Sequence, residues 1–348
     1  MHHNQKIKAV LFCFLLIILT FLFISVTTAS SDPVSNWTYY ADLPYSLASH
    51  QSVIYNSKIY VFGGSGQGDV DHDGILVTNI NSDGSLSNWQ VLSTKLPKKL
   101  LWHNIVNLGN KIYLLGGAES WPRVTTDEVY TATINPDGSI SNWIPLNPLP
   151  KKLAIGGSII HNNKLYYLGG MTLDPSQTFK SEIFYAEIQP NGTIGLWQNA
   201  GLLPQPMGAF ATFSVNNYLL ILGGTTSSNF ALNTVYKTNI TNNGTISQWE
   251  QLENLPKTFH RPIFTKVNNR FFLIGGVSES HVFYNSILYS EIGDQGSPLS
   301  WQSSNVTLPT PNCCSPAVEM NNHIYIPGGH DGGSYFSSVL KLELTPSL

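Results

Sequence analysis

Charge is scarce in this 348-residue chain: Asp, Glu, Lys and Arg make up 11% of it, against roughly a quarter in an ordinary globular protein. Arginine is scarcest, confined to Arg123, Arg261 and Arg270. With a net charge of -3 and no basic run, the chain lacks the cationic stripe that neutralises phosphates, which argues against nucleic acid as a partner. Cysteine is limited to Cys13, Cys313 and Cys314. Neighbouring Cα atoms lie about 3.8 Å apart, short of the about 4.4–6.8 Å that a disulfide spans, so Cys313 and Cys314 read as two free thiols. What is abundant instead is Gly, Asn, Ser, Thr and aromatic residues, the profile of a β-rich, turn-rich protein.

The longest apolar run, Ala9–Ile24, follows Lys6 and Lys8, is interrupted by Thr20 and precedes a stretch of small residues. Residues 1–30 therefore read as an export segment: a signal peptide cut near Ala29 or Ser30, or an N-terminal membrane anchor. The run stops just short of the 18 or so apolar residues expected of a span. Bulky Phe12 before Cys13 argues against a lipid anchor. The expected location is secreted, periplasmic or at the cell surface, with anchoring through this segment as the alternative.

Behind it the chain repeats itself. A hydrophobic pentad ends in a glycine pair six times, at Gly63–Gly64, Gly116–Gly117, Gly169–Gly170, Gly223–Gly224, Gly275–Gly276 and Gly328–Gly329. The offsets are 53, 53, 54, 52 and 53 residues. A Leu-Pro pair recurs in step, with Pro44, Pro97, Pro150, Pro204, Pro256 and Pro309 each 19 residues before the first glycine. Trp37, Trp89, Trp143, Trp197, Trp249 and Trp301 lead the Leu-Pro pairs by six or seven residues. Between glycine pair and tryptophan lies a strand, an Asp-Gly or Asn-Gly turn and a second strand. Four short strands per unit, six times over, make an all-β, six-bladed β-propeller spanning residues 35–345.

A hydrophobic strand ending in Gly-Gly, then a Val-Tyr strand, then a Trp followed by Leu-Pro resembles the kelch repeat, and the resemblance covers essentially the whole chain after the export segment. The chain opens on a lone Trp strand at Trp37 and ends at 339–344 without one. The N-terminal strand is thus expected to complete the sixth blade and leave no long exposed edge.

The turn side of the repeats is nearly invariant, which turn chemistry alone demands. On the other side, the loops at 65–73, 118–127, 171–180, 225–232, 277–285 and 330–338 all differ, and variable loops on a repeated scaffold are where binding is placed. With the segments after each Leu-Pro, they make Ser49, His50, Trp102, His103, Trp121, Arg123, Phe210, His260, Arg261, His281, Cys314, His330 and Tyr335 the candidate ligand-binding residues. His50 and His103 match a histidine often found in kelch repeats, where a blade-to-blade hydrogen bond is the structural reading. Asp69, Asp71 and Asp73 followed by Gly74 spell the opening of a calcium loop, although its twelfth position is Ile80 where glutamate is needed. Sequons at Asn36, Asn191, Asn239, Asn243 and Asn305 matter only in a glycosylating host.

No catalytic set assembles from these residues. The leading expectation is a monomeric, non-catalytic binding module that takes a glycan or protein ligand on the variable loop face, with no cofactor beyond calcium at the aspartates. The resemblance also implies an alternative, because kelch propellers include sialic-acid epimerases and copper-containing galactose oxidases. An epimerase would draw an arginine and a base from Arg123, Arg261, Glu119, Glu279, His260 and His281. An adaptor for ubiquitin ligases would need partner domains that this reading does not find.

Overall fold

The computed structural model describes residues 32–40, 42–120, 123–173, 176–228 and 230–345. Val34–Leu348 forms one unit and Met1–Pro33 another, and the export segment of the second lies outside the described residues. Among the described residues the only helical element is a 3-10 turn at Asp294–Gly296.

Six four-stranded antiparallel sheets follow one another. Blade 1 runs outward from Gln51–Tyr55 through Lys58–Phe62 and Ile75–Asn79 to Gln90–Val91. Blades 2 to 5 repeat that order from the inner strands Asn104–Leu108, Gly157–His161, Ala211–Val215 and Ile263–Val267. Blade 6 comprises Val318–Met320, His323–Pro327 and Val339–Leu344, and its outer strand is the N-terminal Val34–Tyr40, which places Trp37 opposite Leu342. The expected closure is therefore the one observed. Each inner strand contacts its two neighbours around the ring, blade 6 against blade 1 included.

The second strand of each blade carries the core. Ile59–Phe62, Ile112–Leu115, Leu165–Leu168, Leu219–Leu222, Phe271–Ile274 and Ile324–Ile326 are buried on both faces, because a propeller blade is covered by a neighbour on each side. Such strands read as continuous apolar runs without alternation, which is why the pentads stand out in the sequence.

The Asp-Gly turns do more than reverse the chain. Asp83 and Asp137 accept the backbone N–H of Ser85 and Ser139 at 2.9 Å, and Asn191 accepts that of Thr193 at 3.0 Å. The turn glycine's carbonyl then receives a phenol from the preceding blade: Tyr60 donates to Gly138 (3.2 Å), Tyr113 to Gly192 (3.2 Å), Tyr166 to Gly244 (3.0 Å) and Tyr325 to Gly84 (2.9 Å). Leu220 and Phe272 occupy the equivalent positions of blades 4 and 5 and have no hydroxyl to give.

Candidate functional site

The chain enters every blade through one residue with positive φ: Ser49, Trp102, Ile155, Ala209, Arg261 and Cys314, at 49° to 62°. Each stands five residues after a Leu-Pro proline. None is glycine and Ile155 is β-branched, so the conformation costs about 1 kcal/mol or more apiece. Backbone hydrogen bonds between blades hold it in place. Trp102 N–H donates to Ser49 C=O (3.1 Å), Ile155 to Trp102 (3.0 Å), Ala209 to Ile155 (2.8 Å), Arg261 to Ala209 (3.1 Å) and Ser49 to Cys314 (2.6 Å). These five bonds form a belt that runs around the channel from Cys314 through Ser49 to Arg261, and all six side chains line its mouth.

Beneath the belt lies a cavity of about 300 Å³, lined by Ser49, His50, Trp102, His103, Phe210, Arg261 and Cys314 from the expected set. Ile155 and Ala209 also line it and were not among the expected residues. Their signal was the fixed five-residue offset, which marks the position whatever the residue type. Blades 2 and 5 face each other across a ring of six, and Arg261 of blade 5 reaches over to Trp102 of blade 2, its guanidinium carbon 4.9 Å from the indole centroid. The pair roofs the cavity. Arg123 approaches the same indole at 5.7 Å, and Trp102 Nε1 donates to Ser49 Oγ at 3.2 Å.

The two cationic neighbours of Trp102 differ in what else they touch. Arg123 is spent on Asp71, whose side chain is 5% exposed, through bonds of 3.1 and 3.4 Å. Arg261 pairs with no described carboxylate, and its Nη1 points at Cys314 Sγ, 3.8 Å away. Cys314 Sγ lies 3.2 Å from His330 Nε2, and Cys313 Sγ lies 3.4 Å from the same nitrogen. His330 stacks on Tyr335 at 5.4 Å, and the Tyr335 hydroxyl donates to Asp69 at 3.4 Å. One continuous chain of contacts thus joins Asp71, Arg123, Trp102, Arg261, Cys314, His330, Tyr335 and Asp69.

Both cysteines are free. Burial pushes the Cys313 thiol well above its ordinary range. Burial also opposes ionisation of Cys314, but the Cys313 thiol bonded to it, the Arg261 charge and His330 outweigh that, and its pKa falls well below the usual value.

Other candidates fall elsewhere. His260 and His281 sandwich Phe230, with ring centroids 4.5 and 3.9 Å away, and form a separate patch between blades 4 and 5. Glu279 there accepts the backbone N–H groups of Phe230 and Ala231, and Glu119 is held by Lys98 at 2.7 Å. Trp121 lies outside the described residues. His50 and His103 are buried: each is 1% exposed and packs by its Cβ under Gly64 and Gly117. Burial first, and for His50 the neighbouring His103 as well, pull the two imidazoles down to about 3 and about 4.

Among the described residues Asp69, Asp71 and Asp73 do not gather as a group of metal donors. Val70–Asp71 pairs with Ser65–Gly66 in a short hairpin, and each of the three aspartates has a separate partner. Asp69 meets Tyr335, Asp71 meets Arg123, and Asp73 meets Lys95 at 3.5 Å. Among the described residues the one group of three metal-capable donors is Cys313, Cys314 and His330.

No protein-family model matches the chain. Over 205 residues it is 24% identical to beta-scruin of Limulus polyphemus, a stretch that covers 58% of this chain and 22% of that protein. Over 230 residues it is 25% identical to the N-acetylneuraminate epimerase of Shigella flexneri, covering 54% of this chain and 62% of the relative. The chain thus spans less than two thirds of the length of these relatives. The solved structure of YjhT superposes with a TM-score of 0.69 over 88% of this chain and 99% of that one, at 16% identity, which is a likeness of fold. With scruin relatives and a closed ring of six four-stranded blades, the chain is a kelch-type β-propeller.

Proposed function

We propose that this propeller is a binding protein that holds an acidic, sugar-sized ligand at the mouth of its channel. One observation carries the reading: Trp102 and Arg261 close over a cavity of about 300 Å³ whose lining contains no carboxylate. An indole face stacks on the C–H face of a sugar, and a guanidinium that no described carboxylate neutralises offers a bidentate seat for one. The Ser52 and Thr212 hydroxyls in the same lining have no partner within the protein and supply donors for sugar hydroxyls. The hydrophobic segment within residues 1–30 supports placement outside the cytoplasm, released or anchored.

The binding reading is preferred over catalysis because epimerisation needs an acid and a base beside the sugar. Glu119 and Glu279 are engaged elsewhere, and His50 and His103, although they reach the cavity lining, are pulled far down in pKa by burial and make poor bases at neutral pH. The catalytic reading keeps one observation of its own, the likeness to N-acetylneuraminate epimerases. One experiment separates them. The purified protein is titrated with free N-acetylneuraminate and with neutral sugars while tryptophan fluorescence and anomer exchange by NMR are followed. Saturable binding of the acidic sugar is expected, weakened at least about tenfold by Arg261→Ala, with exchange at the uncatalysed rate. Accelerated exchange that Arg261→Ala abolishes would establish the epimerase reading instead, and no binding of any acidic sugar sinks both.

A further inference from the structure

Cys313 and Cys314 are consecutive, and consecutive residues of an extended strand point to opposite faces. Here they do not. The positive φ of 62° at Cys314 turns the chain between them, while Cys313 pairs with His330 in an isolated antiparallel bridge, with N–H to C=O bonds of 3.0 and 3.2 Å in both directions. Both sulfurs therefore converge on one nitrogen, Nε2 of His330, and the three donor atoms lie within 4.8 Å of one another. The belt conformation that serves bonding at five of the six blade junctions has, in blade 6, put two thiols and an imidazole in one place.

We propose that Cys313, Cys314 and His330 form a binding site for a soft divalent metal ion, zinc being the case that the geometry fits. A tetrahedral zinc holds sulfur at about 2.3 Å and imidazole nitrogen at about 2.0–2.1 Å, so such donors stand about 3.6 Å apart around the ion. The two sulfur-to-nitrogen separations are 3.4 and 3.2 Å, and closing on the ion asks for shifts of a few tenths of an ångström. Two sulfurs and one nitrogen without any oxygen donor select zinc over calcium or magnesium. Three protein ligands leave the fourth position open, the arrangement of a zinc that meets water or a ligand. That position adjoins the channel, since Cys314 lines the cavity beneath Arg261.

Binding has one identifiable cost. His330 Nδ1 accepts the Gly332 N–H at 3.1 Å, which puts the ring proton on Nε2. Coordination through Nε2 moves that proton to Nδ1, so the Gly332 amide must turn away. Gly332 and Gly333 are adjacent and exposed, and glycines are the residues that allow such a peptide to rotate. The thiol protons leave to solvent as the thiolates bind, so uptake is accompanied by proton release.

The test uses the full chain, reduced with a phosphine, stripped by chelator, and titrated with zinc alone and with cobalt(II) as a spectroscopic stand-in. The expected result is one ion per chain, with sulfur-to-cobalt charge-transfer absorption in the near ultraviolet, and a loss of affinity of about 10-fold or more in Cys314→Ser and in His330→Gln. Glu253→Gln, at an exposed position outside the site, leaves both unchanged. Circular dichroism of each variant verifies the fold, and the partly exposed Cys314 serves as the primary variant because Cys313 is buried in the core. Absence of zinc uptake at micromolar protein, or uptake that persists unchanged in Cys314→Ser, overturns the proposal.

Discussion

At the scale of single residues, the histidines divide by burial. His50 and His103 are sealed between a glycine pair of their own blade and one of the preceding blade, and they stay neutral to about pH 3 and 4. In the unfolded chain they protonate near pH 6.5. Between those values the unfolded state binds more protons than the folded one, so stability is complete above about pH 6.5 and declines as pH falls, by up to about 1.4 kcal/mol per histidine per pH unit. Thermal melts from pH 7.5 to 4.5 should show a falling Tm, and His103→Gln, although less stable at pH 7.5, should show a flatter decline. An identical slope in the variant would remove His103 from the account. That they occupy equivalent places in two repeats was readable from the sequence. That Arg123 is consumed by Asp71 while Arg261 is not was unreadable, because the partners are 52 residues apart and the loops between them carry no periodic signal.

At the scale of elements, the strand that ends in Gly-Gly is the unit of assembly. A Cβ on Gly275, at φ +59°, would stand 2.0 Å from the Asn312 carbonyl oxygen, a backbone atom of the next blade that no rotamer change can move aside. Gly275→Ala should therefore cost on the order of 3 kcal/mol or more, opposite in sign to an unstrained Gly→Ala change, which stabilises by about 0.5–1 kcal/mol. Urea unfolding measures it, and a cost under about 1 kcal/mol would mean that the blades shift apart easily. The pentads, the turns and the tryptophans were all visible as periodic patterns, since each is dictated by contacts that every blade makes in the same way. For the triplet Asp69, Asp71 and Asp73 the converse holds. Three carboxylates at alternate positions imply a shared cation only where a loop curls around it, and here each meets a separate partner.

At the scale of the whole molecule, stability rests on closure. The strand Val34–Tyr40 pairs along Val339–Leu344 and covers what would otherwise be a long free edge, with Leu342 fully buried between them. A chain that begins at Val34 should keep its full Tm, whereas one that begins at Asp42 should lose on the order of 10 °C and self-associate through the bared edge. Melting curves and size-exclusion chromatography check both, and equal behaviour of the two would deny the strand its role. Blade number, phase and this closure follow from the sequence read unaided, because repeated local contacts leave a repeated local pattern. The channel mouth does not. Its side chains come from all six repeats, their direction is set by a left-handed backbone conformation that no residue type announces, and blades 2 and 5 meet over the cavity through Trp102 and Arg261. Cys313, Cys314 and His330 converge within one blade, through a bridge between the segment after Leu-Pro and the residue after the glycine pair, and the positive φ at Cys314 decides that both sulfurs meet the imidazole.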